Sequence, residues 1–270
     1  FQGSFVEFYP RFFDGIYPQG NFTWNHLWFL AYLFVFSLLL LPLFALRRRR
    51  TEGRGNPREP PRWSAYLSTR CGLLALAIPL VAVEVALRVR WPGLQNLVDD
   101  WANFLSYLTL FGYGFLLYST AGAIDAVAKH RWLFVGLGAS CVATIATLEL
   151  SGARPPWGYE PACLAFLALQ GLNTWCWVLA ILGFGRAWLE GAAPGYRYAA
   201  AASLPFYVLH QTAIVVIGYH VVRWDAAVLA KFAFVAVVSF AATLFVYDLI
   251  VRRVSPLRCA FGMKSPRSAP

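Results

Sequence analysis

Charged residues are scarce in this sequence: Asp, Glu, Lys and Arg together make up 13% of its 270 residues. Soluble domains carry about 25% charged residues. Hydrophobic residues account for 59% here, and the mean hydropathy is +0.54. Several apolar runs reach the roughly 20 residues that a helix needs to cross a bilayer. The composition therefore predicts an all-α, polytopic transmembrane helical bundle.

The motifs of common soluble enzymes are also missing. The sequence has no GxSxG elbow, no HExxH, no Gly-rich phosphate loop and no His/Cys spacing typical of a metal site. Its five cysteines form no CxxC pair and fall mostly within apolar runs, which indicates small packing residues. They are Cys71, Cys141, Cys163, Cys176 and Cys259. We therefore expect no metal and no bound cofactor.

Seven apolar segments are long enough to cross about 30 Å of hydrocarbon as helices. They cover residues 25–46, 65–87, 97–122, 132–150, 161–182, 199–222 and 225–251. The sequence shows no internal repeat. It also lacks an inverted pair of interrupted segments, and such pairs are typical of transporters. It therefore predicts a single integral membrane domain over residues 1–270.

Most of the 23 Lys and Arg residues fall in alternate loops and near the C-terminal end. The positive-inside rule predicts a cytoplasmic Arg-rich loop at 47–63, a cytoplasmic tail at 252–270 and an extracytoplasmic Phe1 end. Charges placed in this way are topology signals, so we expect the lipid bilayer and not nucleic acid as a partner. An anchor to anionic lipid is the preferred interpretation of the loop, with a site for a phosphorylated substrate as the alternative.

The sixth segment carries a titratable side chain at mid-membrane depth. His210 lies roughly 17 Å along a helix from residue 199, where an ionisable ring is costly unless it faces protein or water. Ser203, Tyr207 and Gln211 share its helical spacing and form a narrow polar stripe. A neutral imidazole there can accept a proton from a hydroxyl, with Tyr207 or Gln211 holding its tautomer. The alternative is a hydrogen bond that only fixes helix packing.

Further candidate residues lie at the predicted outer ends of three spans. His26 and Trp28 enter the first span and fit either a substrate contact or an aromatic-belt anchor. Asp100 and Trp101 begin the third span, where the carboxylate either caps the helix or works with the indole to bind a sugar or other polyol. Glu84, near the end of the second span, is a candidate for the same polar cavity or an ordinary interface residue.

Short motifs along nearly the whole chain resemble the membrane acyltransferase 3 family, and in particular its glucan biosynthesis protein C branch. They stand at residues 25–33 (NHLWFLAYL), 100–104 (DWANF), 107–108 (YL), 111–114 (FGYG) and 205–211 (PFYVLHQ). Each motif is weak alone, whereas their order along the chain is fairly specific.

The resemblance implies a bacterial inner-membrane enzyme that transfers acyl groups other than aminoacyl groups. An acetyl- or succinyl-type group would pass from a cytoplasmic acyl-CoA to a carbohydrate hydroxyl on the extracytoplasmic side, with a glucan as acceptor in the named branch. His210, Tyr207 and Gln211 would line the reaction cavity and orient the donor or the base. The outer, acceptor-binding mouth would comprise His26, Trp28, Glu84, Asp100 and Trp101.

The resemblance also implies about ten spans with both ends in the cytoplasm, and a catalytic histidine near an arginine on the first span. This chain starts at Phe1 with no signal-peptide pattern before its first apolar segment. We therefore expect that the sequence is incomplete at its N-terminal end and that the histidine acting as the catalytic base precedes Phe1. Two alternatives remain open, namely a transporter or flippase for a sugar or lipid-linked substrate, and an inactive fragment.

Overall fold

The computed structural model describes residues 3–15, 17, 20–52, 62–93, 95–189 and 194–263. Within these ranges the fold is helical, and six helices are long and apolar enough to cross a membrane, or seven if a bent pair forms one span. The six are Asn25–Arg47, Arg70–Leu87, Arg131–Leu150, Pro161–Trp188, Gly195–Val221 and Val228–Val251. The predicted all-α transmembrane bundle is confirmed, and the segments agree with those found in the sequence.

Twelve α-helices can be numbered along the described part of the chain. They are α1 (Phe5–Arg11), α2 (Trp28–Glu52), α3 (Arg62–Leu67), α4 (Arg70–Ala75), α5 (Ala77–Leu87), α6 (Trp101–Ser119), α7 (Ala123–Lys129), α8 (Arg131–Leu150), α9 (Pro161–Trp188), α10 (Pro194–Val221), α11 (Val228–Val246) and α12 (Ser255–Ala260). A 3₁₀ turn, Asn25–Leu27, leads into α2, and a π-helical turn, Tyr247–Val251, follows α11.

The chain bends sharply at the end of the predicted third span, residues 97–122. Helix α6 ends at Ser119, and α7 starts at Ala123 with its axis turned by 100°. Gly122 between them has a φ of +74°, a left-handed conformation that glycine adopts without steric cost. The predicted span therefore ends at this turn, and α7, which carries Asp125 and Lys129, lies beyond it.

The chain forms two compact units, Phe1–Glu190 and Gly191–Pro270, here called unit 1 and unit 2. Residues 190–193, where they join, lie outside the described residues. The predicted Arg-rich loop at 47–63 is described only at its edges, because α2 continues to Glu52 and α3 starts at Arg62. The predicted tail at 252–270 contains α12, and residues 264–270 are not described. The single domain over 1–270 stays a prediction.

Helix α9 lies at the centre of unit 1, where it packs against α5, α7 and α8. Its buried Trp175 and Leu179 contribute to a core that includes Leu73 and Phe134. The indole N–H of Trp175 donates to the Leu73 carbonyl oxygen at 2.8 Å. Leu73 lies in the last turn of α4, where backbone carbonyl groups lack the regular intrahelical partner. The tryptophan therefore satisfies a buried acceptor that the broken helix exposes.

Close approach of α9 to α7 depends on a small residue at position 183. A methyl group added to Gly183 would come within 2.8 Å of both the Val127 carbonyl oxygen and the Arg131 Cβ. We expect Gly183→Ala to lower the free energy of unfolding by about 1–3 kcal/mol, because backbone cannot move aside cheaply. Gly185→Ala is the matched control, since no described atom lies within 4 Å of its added methyl group. Thermal unfolding in one detergent checks both, and equal effects would contradict the packing explanation.

Unit 2 is built on the pairing of α10 with α11. Ala202 from α10 packs against Tyr247 and Val251 of the π-helical turn. Close to this core, the Tyr198 hydroxyl donates to Asp248 at 2.8 Å, and Arg252 donates to the other carboxylate oxygen at 2.7 Å. Helix α10 remains helical through residue 205, a proline, and so the polar stripe predicted around His210 lies on one continuous helix.

Candidate functional site

Polar side chains from three helices of unit 1 meet at one end of the bundle. We call Tyr32 of α2, Glu84 of α5, Arg88 at the end of α5, and Asp100, Asn103 and Ser106 at the start of α6 the helix-end cluster. Helices α2 and α5 both pack against α6. The cluster therefore assembles where the first, second and third spans come together.

Arg88 ties two of these helices together. Its Nε and Nη2 donate to the two carboxylate oxygens of Glu84, both at 2.7 Å, and its Nη1 donates to the Asn103 side-chain oxygen, also at 2.7 Å. The Ser106 hydroxyl donates to Glu84 at 3.1 Å. Hydrogen bonds to Glu84 raise the pKa of Arg88, so the guanidinium stays charged. This bidentate pairing holds both side chains in a single geometry.

Gly93 lies against the same arginine. Its φ of +102° favours glycine, and a Cβ there would meet the Asn103 amide nitrogen at 2.8 Å and Arg88 Nη1 at 3.0 Å. The loop after α5 can therefore approach the Arg88–Asn103 contact only because residue 93 has no side chain.

Asp100 is buried, with 1% of its surface exposed. Although it occupies the N-cap position of α6, its carboxylate makes no capping bond within the described chain. It accepts a hydrogen bond from the Tyr32 hydroxyl, which itself accepts the Leu97 backbone N–H at 3.1 Å. Burial raises the pKa of Asp100, and the bond from Tyr32 opposes that rise. Of the two sequence interpretations, helix capping does not describe this side chain.

Aromatic rings flank the helix-end cluster. Trp28 stacks on Tyr107 with ring centroids 5.6 Å apart, and Tyr107 also meets Tyr32 edge to face at 5.8 Å. Trp101 is 48% exposed and contacts Phe104. His26 lies half-buried in the 3₁₀ turn before α2. All five predicted acceptor-binding residues are thus in unit 1, with Glu84 and Asp100 already engaged by protein partners.

The imidazole of His210 is held by its own helix in unit 2. Its Nδ1 lies 2.7 Å from the Tyr207 carbonyl oxygen and 3.2 Å from that of Phe206. Because a carbonyl oxygen can only accept, Nδ1 carries a proton. When the ring is neutral, its lone pair is therefore on Nε2. The Phe206 ring lies nearly parallel to the imidazole, at 5.9 Å and 6°. Of the two neutral tautomers, this geometry selects the one in which Nε2 is a hydrogen-bond acceptor or a base.

The predicted partners of His210 occupy neighbouring positions on α10. The backbone carbonyl of Tyr207, and not its phenol, is the group that orients the ring. The Tyr207 ring is tilted by 38° to the imidazole at 5.9 Å. Gln211 is half-buried at the next position of the helix. The catalytic roles of these three residues stay predictions.

Four members of the helix-end cluster were absent from the sequence-based site, namely Tyr32, Arg88, Asn103 and Ser106. One signal was available: Glu84 and Arg88 are four residues apart, the spacing at which opposite charges meet on a helix.

Among the described residues, no group of three or more His, Cys, Asp or Glu side chains is arranged to hold a metal ion.

Comparison with known proteins gives distant relatives. The chain is similar to curated proteins named glucans biosynthesis protein C: the Salmonella paratyphi B protein is 22% identical over 249 residues, and the Salmonella agona protein is 23% identical over 247 residues. Each alignment covers 90% of this chain but 62% of the relative, so the chain spans about three fifths of the relatives' length. No family model matches the chain, and no solved structure matches it.

These relatives support the glucan biosynthesis protein C branch that the motifs suggested. They are bacterial, and the described helices make this chain a multi-pass membrane protein. Membership of the wider acyltransferase 3 family stays a prediction that rests on the motifs.

Proposed function

We propose that this protein is a membrane O-acyltransferase. It moves an acetyl- or succinyl-type group from a cytoplasmic acyl-CoA to a carbohydrate hydroxyl on the extracytoplasmic side of a bacterial inner membrane. The observation that carries the proposal is the similarity, over 90% of the chain, to curated proteins named glucans biosynthesis protein C. The acyl-transfer chemistry comes from the resemblance of the motifs to the acyltransferase 3 family.

The reaction places definite demands on a site. The acceptor hydroxyl loses its proton as its oxygen attacks the thioester carbonyl, the carbon–sulfur bond breaks, and the CoA thiolate leaves and takes up a proton. A base and a group that stabilises the developing oxyanion accelerate these steps. His210 is assigned neither of these two roles; its imidazole is oriented by the hydrogen bond from Nδ1 to the Tyr207 carbonyl. In this proposal Nε2 accepts a hydrogen bond that orients the reacting groups, with Tyr207 and Gln211 beside it.

In this proposal, the carbohydrate acceptor binds to unit 1. Aromatic rings such as Trp28 and Trp101 offer flat apolar faces, and the helix-end cluster beside them is polar. Sugars have both kinds of surface, because their rings carry apolar C–H faces and hydroxyl edges. Because Glu84 and Asp100 are held by Arg88 and Tyr32, they position the surrounding helices and present a fixed wall to the acceptor.

Turnover in the absence of a sealed membrane tests the proposal. The complete gene product, including any sequence that precedes Phe1, is purified into lipid nanodiscs and incubated with radiolabelled acyl-CoA and a glucan. We expect label to appear as an ester on the glucan, and no label when acyl-CoA is replaced by labelled CoA lacking the acyl group. Binding of glucan without transfer, combined with uptake by sealed vesicles, would contradict the enzyme and favour a transporter.

A further inference from the structure

A small pocket lies at the same end of unit 1 as the helix-end cluster, between the chain before α2 and the loop before α6. Its volume is about 170 Å³. Four of its described lining residues are aromatic, namely Tyr17, Phe22, Trp24 and Trp28. Of these, only Trp28 is among the residues predicted from the sequence. The pocket thus adjoins the expected acceptor mouth and shares Trp28 with it.

The remaining lining is polar but uncharged. It consists of Thr23, Asn25, Gln95 and Asn96, which carry one hydroxyl group and three amide groups. Amides offer both donors and acceptors, and none of the described lining residues is charged at neutral pH. Phosphate-bearing ligands such as CoA are usually held by arginine, lysine or a helix N-terminus. The lining therefore suits an uncharged ligand with many hydroxyl groups.

Both walls are fixed by specific contacts. The Asn25 backbone N–H donates to Thr23 Oγ1 at 3.1 Å, and Asn25 has a φ of +46°. On the other wall, Asn96 Oδ1 accepts the backbone N–H groups of Val98 at 3.0 Å and Asp99 at 2.8 Å. Both walls are held by short-range hydrogen bonds, so the pocket is largely formed before a ligand enters.

Leu97, which follows Asn96, has a φ of +67°, a rare and costly conformation for a leucine. Its N–H donates to the Tyr32 hydroxyl, the same hydroxyl that binds Asp100. The wall containing Asn96 is therefore attached through Leu97 to the buried part of the helix-end cluster. Backbone strain of this kind persists where the surrounding structure holds it, often at binding sites.

The geometry points to this pocket as a binding subsite for one sugar ring of a neutral carbohydrate. The inference rests on the proposed function, because the acceptor there is a glucan, and it names the residues that hold the acceptor beside the helix-end cluster. The ring of Trp24, 40% exposed and in edge-to-face contact with Phe22 at 5.4 Å, provides the face on which the sugar packs. The amides of Asn25 and Asn96 bind its hydroxyls.

Binding is measured directly with cellotetraose, an uncharged gluco-oligosaccharide, by calorimetry on the complete gene product. Lipid nanodiscs are needed, because glucoside and maltoside detergents carry sugars themselves. We expect Trp24→Ala to weaken cellotetraose binding roughly tenfold or more and to raise the KM for glucan with kcat nearly unchanged. Trp188→Ala is the matched control, since Trp188 is exposed at the end of α9 and is absent from the pocket lining.

A second variant separates ligand contact from folding. Asn96→Asp keeps the oxygen that accepts from Val98 and Asp99 but removes the amide donors and adds a charge. We expect an unchanged melting temperature and cellotetraose binding weakened roughly tenfold. Coenzyme A, used as a probe of the donor, should bind equally to wild type and to both variants.

The outcomes separate this inference from the proposed function. If wild type binds no cellotetraose, or if Trp24→Ala and Asn96→Asp bind it as wild type does, the pocket assignment is overturned even where acyl transfer is observed. Trp24-dependent binding without any acyl transfer would overturn the proposed function and support the pocket. Loss of coenzyme A binding in Trp24→Ala would assign the pocket to the donor and overturn the inference.

Discussion

Replacing His210 with asparagine should lower acyl transfer to glucan about 100-fold, the usual cost of misplacing reacting groups by roughly 1 Å. Asparagine can still donate from the position of Nδ1 to the Tyr207 carbonyl, but it has nothing at the position of Nε2. His210→Gln reaches the position of Nε2 with an amide oxygen that accepts hydrogen bonds. We expect it to retain activity to within about tenfold of wild type, because an orienting acceptor is preserved.

This pair of variants distinguishes three roles for one side chain. Transfer is measured in membranes of cells that express the complete gene product at equal levels. Full activity in His210→Asn would show that the imidazole only forms hydrogen bonds within α10 and takes no part in acyl transfer. Equal loss in both variants would identify a proton-transferring base and contradict the orienting role, because neither amide takes up a proton at neutral pH. His220→Asn is the control, since His220 is exposed and lies ten residues further along α10.

The membrane spans could be predicted from the sequence because few backbone structures are stable in the hydrocarbon of a bilayer. A backbone in lipid must satisfy its own hydrogen bonds, and so long apolar runs become helices. What the runs do not encode is the break within a span. The separation of α4 from α5 at Leu76 falls inside the predicted second span. It lies next to the bond from Trp175 to Leu73, a tertiary contact that no local pattern contains.

The candidate site was predictable to the extent that polar residues are expensive in apolar segments. That cost drew attention to His210, Glu84 and Asp100. Their partners were harder to predict. Arg88 is one of several charged residues near the ends of spans, and Tyr32 is one of many aromatic residues, so neither stands out in the sequence. For Asp100 the local rule favoured a helix cap, whereas burial beside Tyr32 prevailed in the structure. The tautomer of His210 depends on a backbone carbonyl three residues away, which side-chain patterns do not show.

The Glu84–Arg88 pair supports the largest stability prediction. The two side chains are 13% and 15% exposed, so little water reaches either charge. Glu84→Leu leaves the Arg88 guanidinium with only Asn103 among its described hydrogen-bond partners, and it also removes the acceptor of Ser106. Removing one partner of a nearly buried ion pair costs about 3–5 kcal/mol. We expect the free energy of unfolding to fall by about 3 kcal/mol, measured by thermal or denaturant unfolding in one fixed detergent.

An exposed pair in the same unit provides the comparison. Glu149 and Arg154 lie 3.2 Å apart with side chains 42% and 48% exposed. Glu149→Leu should cost less than about 1 kcal/mol, because solvent screens exposed ion pairs. Equal effects of Glu84→Leu and Glu149→Leu would contradict the view that burial decides the cost.

The double variant Glu84→Leu/Arg88→Leu tests the physical cause. An unpaired charge, and not the lost attraction, makes the single variant unstable. Removing both charges should therefore restore most of the free energy of unfolding, since apolar replacements of buried pairs are often neutral or stabilising. Without Arg88, however, α5 no longer binds Asn103, so the wall beside the acceptor loses its fixed position. The double variant should then unfold at a temperature close to that of wild type while its KM for glucan rises, which separates the stabilising role of the pair from its positioning role.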